Sequence, residues 1–115
     1  MHATVIHLDD VEPVKTPKGL TRFLVRHAKA EGPNIMIRQW APGTVLDRHA
    51  HPASEMFFIL DGEVEVEGVV HGPGTCLFIP GGVEYGPLRV LDRTARLLRY
   101  YEAEPADPAP TAPES

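Results

Sequence analysis

Between Glu55 and Glu67 the chain carries the pattern that most narrows its choice of fold. Met56-Phe57-Phe58-Ile59-Leu60 is apolar in both phases of a strand, so it needs cover on each side, from a barrel interior and from another sheet or subunit. Asp61-Gly62 follows, and a two-residue Asp-Gly loop predicts a type I′ hairpin because glycine tolerates positive φ. Glu63-Val64-Glu65-Val66-Glu67 then alternates strictly, which turns the valines inward and the glutamates to water. Twelve prolines and ten glycines punctuate the β-branched and aromatic runs of the 115 residues, which points to an all-β barrel or sandwich rather than long helices. Strands are expected near Thr4–Leu8, Thr21–Arg26, Asn34–Trp40, Val45–His51, Glu55–Leu60, Glu63–Val69, Thr75–Ile79, Leu88–Leu91 and Arg96–Tyr101.

Chemistry enters just before the apolar run. His49 and His51 lie two residues apart, and on an extended strand such positions share a face, so both imidazoles can converge while Ala50 turns away. Glu55 adds a carboxylate. Two histidines and one carboxylate form the facial set associated with non-haem iron, which leaves coordination positions open for substrate and oxygen. Near pH 7 the ligands are available as neutral imidazoles and an ionised carboxylate.

Over residues 43–85 the chain resembles the cupin superfamily, in particular its small single-domain quercetinase-like bacterial members. Gly43, His49, His51, Glu55 and Gly62 match the first cupin motif, and Gly74, Pro80 and Gly82 match the second. The resemblance implies an antiparallel double-stranded β-helix, or jelly-roll barrel, with one divalent transition metal held by His49, His51 and Glu55. Fe(II) is favoured by this likeness, with Mn, Ni or Zn as alternatives. It also implies a homodimer, for which the N-terminal strands are natural interface or exchange elements.

Tyr85 stands where the second motif ordinarily has a histidine ligand. Three roles are open to it. A bound metal could lower the phenol's pKa and recruit the phenolate as a ligand. The hydroxyl could instead serve catalysis as an acid/base or hydrogen-bond donor to substrate. It could also be a pocket wall whose hydroxyl is satisfied elsewhere.

Of the remaining histidines, His71 is expected in a solvent-facing turn, and His7 and His27 at the surface or an interface. His2 lies too close to the terminus to assign. Cys76 reads as a small buried hydrophobe, with a pocket thiol as the minor alternative. Arg38 and Gln39 are adjacent on one strand, so one of them faces the interior; an outward Arg with its stem on the surface is the commoner arrangement. Met36, Trp40, Phe57, Phe58, Ile59, Phe78, Leu98 and Tyr100 supply the apolar lining expected of a ligand cavity or of plain core.

The length suits one domain, expected over residues 1–101, followed by a disordered tail over 102–115 that alternates proline and alanine with acids. A net charge of −5 without a Lys/Arg stripe argues against nucleic acid. No apolar run approaches the ~20 residues of a membrane span, and the first residues lack a secretory pattern. With a single cysteine, the cytoplasm is the expected compartment. The reaction expected is Fe(II)-dependent dioxygenation of a small organic molecule. A metal-dependent isomerase, lyase or cyclase that needs no O₂, or a small-molecule binder without turnover, are the rivals.

Overall fold

The computed structural model describes residues 3–27 and 33–102. Ten strands follow a short 3₁₀ turn at Leu8–Asp10: β1 (Val14–Thr16), β2 (Gly19–Val25), β3 (Asn34–Trp40), β4 (Val45–Leu46), β5 (Glu55–Asp61), β6 (Val64–Val66), β7 (Val69–His71), β8 (Cys76–Ile79), β9 (Leu88–Val90) and β10 (Ala95–Tyr101). They form a six-stranded sheet in the order β1-β2-β3-β10-β5-β8 and a four-stranded sheet in the order β4-β9-β6-β7. All the pairings are antiparallel, and the architecture is a jelly roll.

Period-two alternation builds the core. Trp40 of β3, Phe57 and Ile59 of β5, and Leu97 of β10 turn inward against Leu46, Val64, Leu88 and Val90 of the smaller sheet, and Met36 of β3 is buried in the same phase as Trp40. At one end of β3 Trp40 pairs with Ala95, whereas at the other the cross-strand row is Asn34, Tyr101, Glu55 and Ile79. Asn34, Glu55 and Arg99, each at most 1% exposed, lie at or near the second end, whereas buried Thr21 and Arg38 pair nearer the first.

Several expectations change in the folded chain. Asp61-Gly62 is not a hairpin turn: β5 belongs to the larger sheet and β6 to the smaller, so these residues make the corner between them. Gly62 is required there by close approach as well as by its φ of 82°, since a Cβ would lie 2.6 Å from the Thr94 carbonyl oxygen. The two-residue hairpin is instead Glu67-Gly68, joining β6 to β7 with Val66 opposite Val69. Both of its residues have positive φ, 51° and 87°, the signature of a type I′ turn. It divides what the sequence presents as one strand over Glu63–Val69.

Thr4–Leu8 forms no strand, while Val14–Thr16 pairs with β2 as an edge strand. The expected strand Val45–His51 is ordered as β4 over two residues only. Cys76 is exposed rather than buried, because β8 places it beside Phe78 in the outward phase. His2 and residues 103–115 of the expected tail lie outside the described residues. No helix among the described residues is long and apolar enough to cross a membrane.

Candidate metal centre

His49 and Tyr85 are locked together by backbone before any side chain is considered. The His49 amide donates to the Tyr85 carbonyl at 3.0 Å, and the Tyr85 amide donates to the His49 carbonyl at 2.9 Å. A third bond, from the Gly82 amide to the His51 carbonyl at 2.7 Å, ties the following turn to the same segment. This isolated antiparallel bridge brings residues 36 positions apart onto one site. Glu55 arrives separately as the first residue of β5.

The ligand atoms of His49, His51 and Glu55 lie within 4.8 Å of one another. The imidazoles of His49 and His51 meet edge to face, with centroids 4.9 Å apart. Nδ1 of His49 is 2.7 Å from the Asp47 carbonyl oxygen. Because a carbonyl can only accept, the proton sits on Nδ1 and the lone pair is left on Nε2. His51 Nε2 lies 3.7 Å from Glu55 Oε1, and the His51 ring packs edge-on to Tyr101 at 5.5 Å. Burial pushes the His51 pKa below its ordinary value, an effect the Glu55 charge opposes.

Glu55 is fixed by Arg99, a residue to which nothing in the sequence directs attention except its phase. On β10 it lies in phase with Leu97 and Tyr101, so it must point inward. Its Nε donates to Glu55 Oε2 at 2.7 Å, and its Nη2 donates to the same oxygen. The guanidinium also lies 4.8 Å from the Tyr101 ring centroid and 5.6 Å from that of Phe57. One carboxylate oxygen is thereby taken and the other is left over.

Three buried donor atoms then have no protein hydrogen-bond partner among the described residues: His49 Nε2, His51 Nε2 and Glu55 Oε1. Orphaned polar atoms of this kind are costly in a folded interior unless something meets them. Two imidazole lone pairs and one carboxylate oxygen converging in a protein interior are a donor set that suits a divalent transition metal.

Tyr85 adds a fourth oxygen. Its ring is 4.8 Å from that of His49, and its hydroxyl is likewise buried without a partner in hydrogen-bonding geometry. Burial, reinforced by the Glu55 charge, holds the phenol well above its ordinary pKa of 10.0. Held so, the group is a neutral O–H donor.

The other candidates stay apart from this cluster. His71 is not in a turn but ends β7, half-buried opposite Val64. His7 is exposed and accepts from the Asp9 amide at 3.1 Å, whereas half-buried His27 contacts the Pro33 carbonyl at 2.6 Å. Arg38, not Gln39, takes the interior phase of β3: it is 2% exposed and its Nη1 donates to Thr21 Oγ1 at 3.2 Å. Of the apolar residues expected to line a cavity, Met36, Trp40, Phe57 and Ile59 are close-packed core. Phe58, Leu98 and Tyr100 take the opposite, outward phase, and Phe78 is 64% exposed.

Residues 1–104 match the ChrR cupin-like domain. Among solved structures the chain is similar to KdgF from Halomonas sp., at 14% identity and a TM-score of 0.77 over 92% of this chain and 98% of that one. It is similar to an RmlC-like cupin from Shewanella frigidimarina, at 20% identity and a TM-score of 0.74 over 92% and 96% of the two chains. A third similar structure is the polyketide cyclase RemF from Streptomyces resistomycificus, at 22% identity and a TM-score of 0.70 over 90% and 81%. At these identities the likeness is one of fold. No curated protein matches the sequence.

Proposed function

The chain belongs to the ChrR cupin-like domain family, and on that premise we propose that it is a mononuclear metal enzyme, an Fe(II)-dependent dioxygenase acting on a small organic molecule. The observation that carries this reading is the convergence of His49 Nε2, His51 Nε2 and Glu55 Oε1, each buried and without a protein partner. Three such ligands leave part of a metal's coordination sphere for substrate and O₂. When bound, the divalent cation supplies Lewis-acid polarisation of a substrate oxygen.

The protein's own residues do the rest. Asp47, through its carbonyl, holds the His49 tautomer that keeps Nε2 available. Arg99 orients Glu55 and keeps its charge compensated. Tyr85 holds a proton on its hydroxyl beside the cluster, ready to donate to an oxygen of the substrate.

The test begins with metal analysis of protein purified without chelators or a nickel column; about one divalent ion per chain is expected, and Fe, Mn, Ni and Zn are told apart in the same measurement. Oxygen consumption with phenolic and diketone substrates then probes the reaction. Metal-free protein that cannot be loaded would sink the reading altogether. A second reading, a cyclase, isomerase or lyase that uses the Tyr85 proton without O₂, is favoured by that hydroxyl and by the fold-level likeness to a polyketide cyclase. It predicts turnover that persists under argon. Tight ligand binding without product would instead identify a binder.

A second copy of the chain is the macromolecular partner we propose. On the outward face of the six-stranded sheet, Ile37, Leu98 and Phe58 form one cross-strand row and Ile35, Tyr100, Met56 and Phe78 the next. Apolar sheet faces ending in an exposed aromatic, here Phe78, are commonly covered by a second copy across a two-fold axis. Light scattering should return the mass of a dimer, and Phe78→Glu should return a monomer.

A further inference from the structure

Beside β8, where the six-stranded sheet ends, the two sheets part and leave a groove of about 300 Å³. Its walls are Val66 from β6, Leu77, Phe78 and Ile79 from β8, and Pro80, Val83 and Tyr85 from the loop that follows. Ile79 and Tyr85 belong to the core cluster, and Val66 and Leu77 pack against it. The groove therefore reaches from the exposed sheet edge at Phe78 and Val83 inward to the core at Ile79 and Tyr85.

Its electrostatics are as informative as its shape. Glu67 and Glu84 stand at the mouth, and Arg48 engages both, at 2.8 Å and 3.3 Å. The Arg48 Nη1 donates in addition to the Gly86 carbonyl at 3.0 Å, which fixes the guanidinium between them. The acidic charges at the rim thus face a cation already in place, and the walls offer no charge of their own. An ionised ligand entering here would lose water without gaining a partner, whereas an apolar one would lose little.

At its inner end the groove meets the Tyr85 ring, which lies 4.8 Å from the ring of His49. One aromatic side chain separates the apolar space from a candidate metal ligand. We propose that this groove is the subsite for the uncharged, apolar part of a small-molecule ligand, with Tyr85 as the wall it shares with the metal centre. The volume is at the lower end of the roughly 300–1,000 Å³ typical of small-molecule sites, which suits a ligand of about one or two rings. This deepens the metal-enzyme reading and rests on it for any catalytic consequence.

The proposal can be tested with indanone, a neutral bicyclic probe, against indane carboxylate of nearly the same shape. Both are titrated into isotopically labelled full-length protein, with and without bound metal, while backbone amide shifts are followed. Indanone should shift Val66, Leu77, Ile79 and Val83 in both forms, and the carboxylate should bind at least about tenfold more weakly. Val83 is 47% exposed, so Val83→Glu should fold; it should weaken indanone about tenfold or more and leave metal content unchanged. Shifts clustered elsewhere, equal binding of the two probes, or an indifferent Val83→Glu protein would overturn the subsite. Indanone binding by protein that cannot hold metal would leave the subsite standing and remove the metal-enzyme reading; stoichiometric metal without those shifts would do the reverse.

Discussion

Arg99 donates from Nε and Nη2 to a single oxygen of Glu55, Oε2, and leaves Oε1 facing His51 Nε2 at 3.7 Å. This division makes the carboxylate a directed, one-oxygen donor. It also means that a charge buried to 1% exposure has its countercharge within the protein, so the site can exist before any metal arrives.

Replacing Arg99 should consequently disturb both stability and metal binding. Arg99→Met retains bulk but strands the Glu55 charge, and breaking a buried pair from one side costs about 3–5 kcal/mol. Loss of an orienting partner typically weakens metal affinity about 10–100-fold. Arg99→Lys keeps the charge without the fork and should fall between the two in denaturant midpoint and metal affinity. Wild-type metal affinity in a folded Arg99→Met protein would show that Glu55 needs no such alignment.

His51→Ala tests the cluster from the ligand side. The jelly roll is held by sheet pairing and by the core around Trp40, Phe57 and Leu97, none of which depends on that imidazole. A folded protein that retains no stoichiometric metal is expected. Circular dichroism and elemental analysis of the same sample provide the check, and full metal retention would remove His51 from the ligand set.

Which parts of this site are legible in the sequence follows from how local their cause is. His49, His51 and Glu55 sit within seven residues, and their spacing alone proposes a shared face. Tyr85 is legible through its place in the second motif, but the backbone bridge that delivers it to His49 is a long-range pairing. Arg99 is the case that escapes: an arginine in phase with Leu97 and Tyr101 is a weak cue until the facing strand supplies Glu55. The same limit explains Asp61-Gly62. A local rule reads the dipeptide as a hairpin, yet which sheet receives the next strand is a tertiary matter. At Glu67-Gly68 the Glu/Val alternation of Glu63–Glu67 runs directly into a turn, and a pattern that favours a strand up to Glu67 does not mark where the chain reverses.

Acid should destabilise the metal-free protein through His51. Burial lowers its folded-state pKa below the ordinary value of 6.5, so as pH falls past that point the unfolded chain takes up a proton that the folded chain resists. Stability is full above the unfolded pKa and is lost as pH falls toward the folded one. Urea unfolding of metal-free protein between pH 7 and about 5, above the range where carboxylates titrate, should show this decline. His51→Ala should flatten it. A midpoint that holds steady or rises on acidification in the wild-type protein would contradict the assignment.

Tyr85→Phe separates the chemistry of the hydroxyl from the packing of the ring. The substitution leaves the contacts with His49 and the groove wall in place and removes one oxygen. His49, His51 and Glu55 still provide three ligands, so metal content should stay near that of the wild type. If the proton is delivered to substrate, turnover should fall by roughly 10²-fold or more, the loss typical of a missing acid/base group. The pH dependence supplies an independent readout that needs no substrate. Because the folded-state pKa is raised above 10.0, Tyr85 contributes stability that is present below the unfolded value and is lost as pH rises through the folded one. Tyr85→Phe should therefore lose less stability in alkali than the wild type does. Metal loss in the variant would identify the phenolate as a ligand, and unchanged metal with unchanged turnover would reduce Tyr85 to a wall.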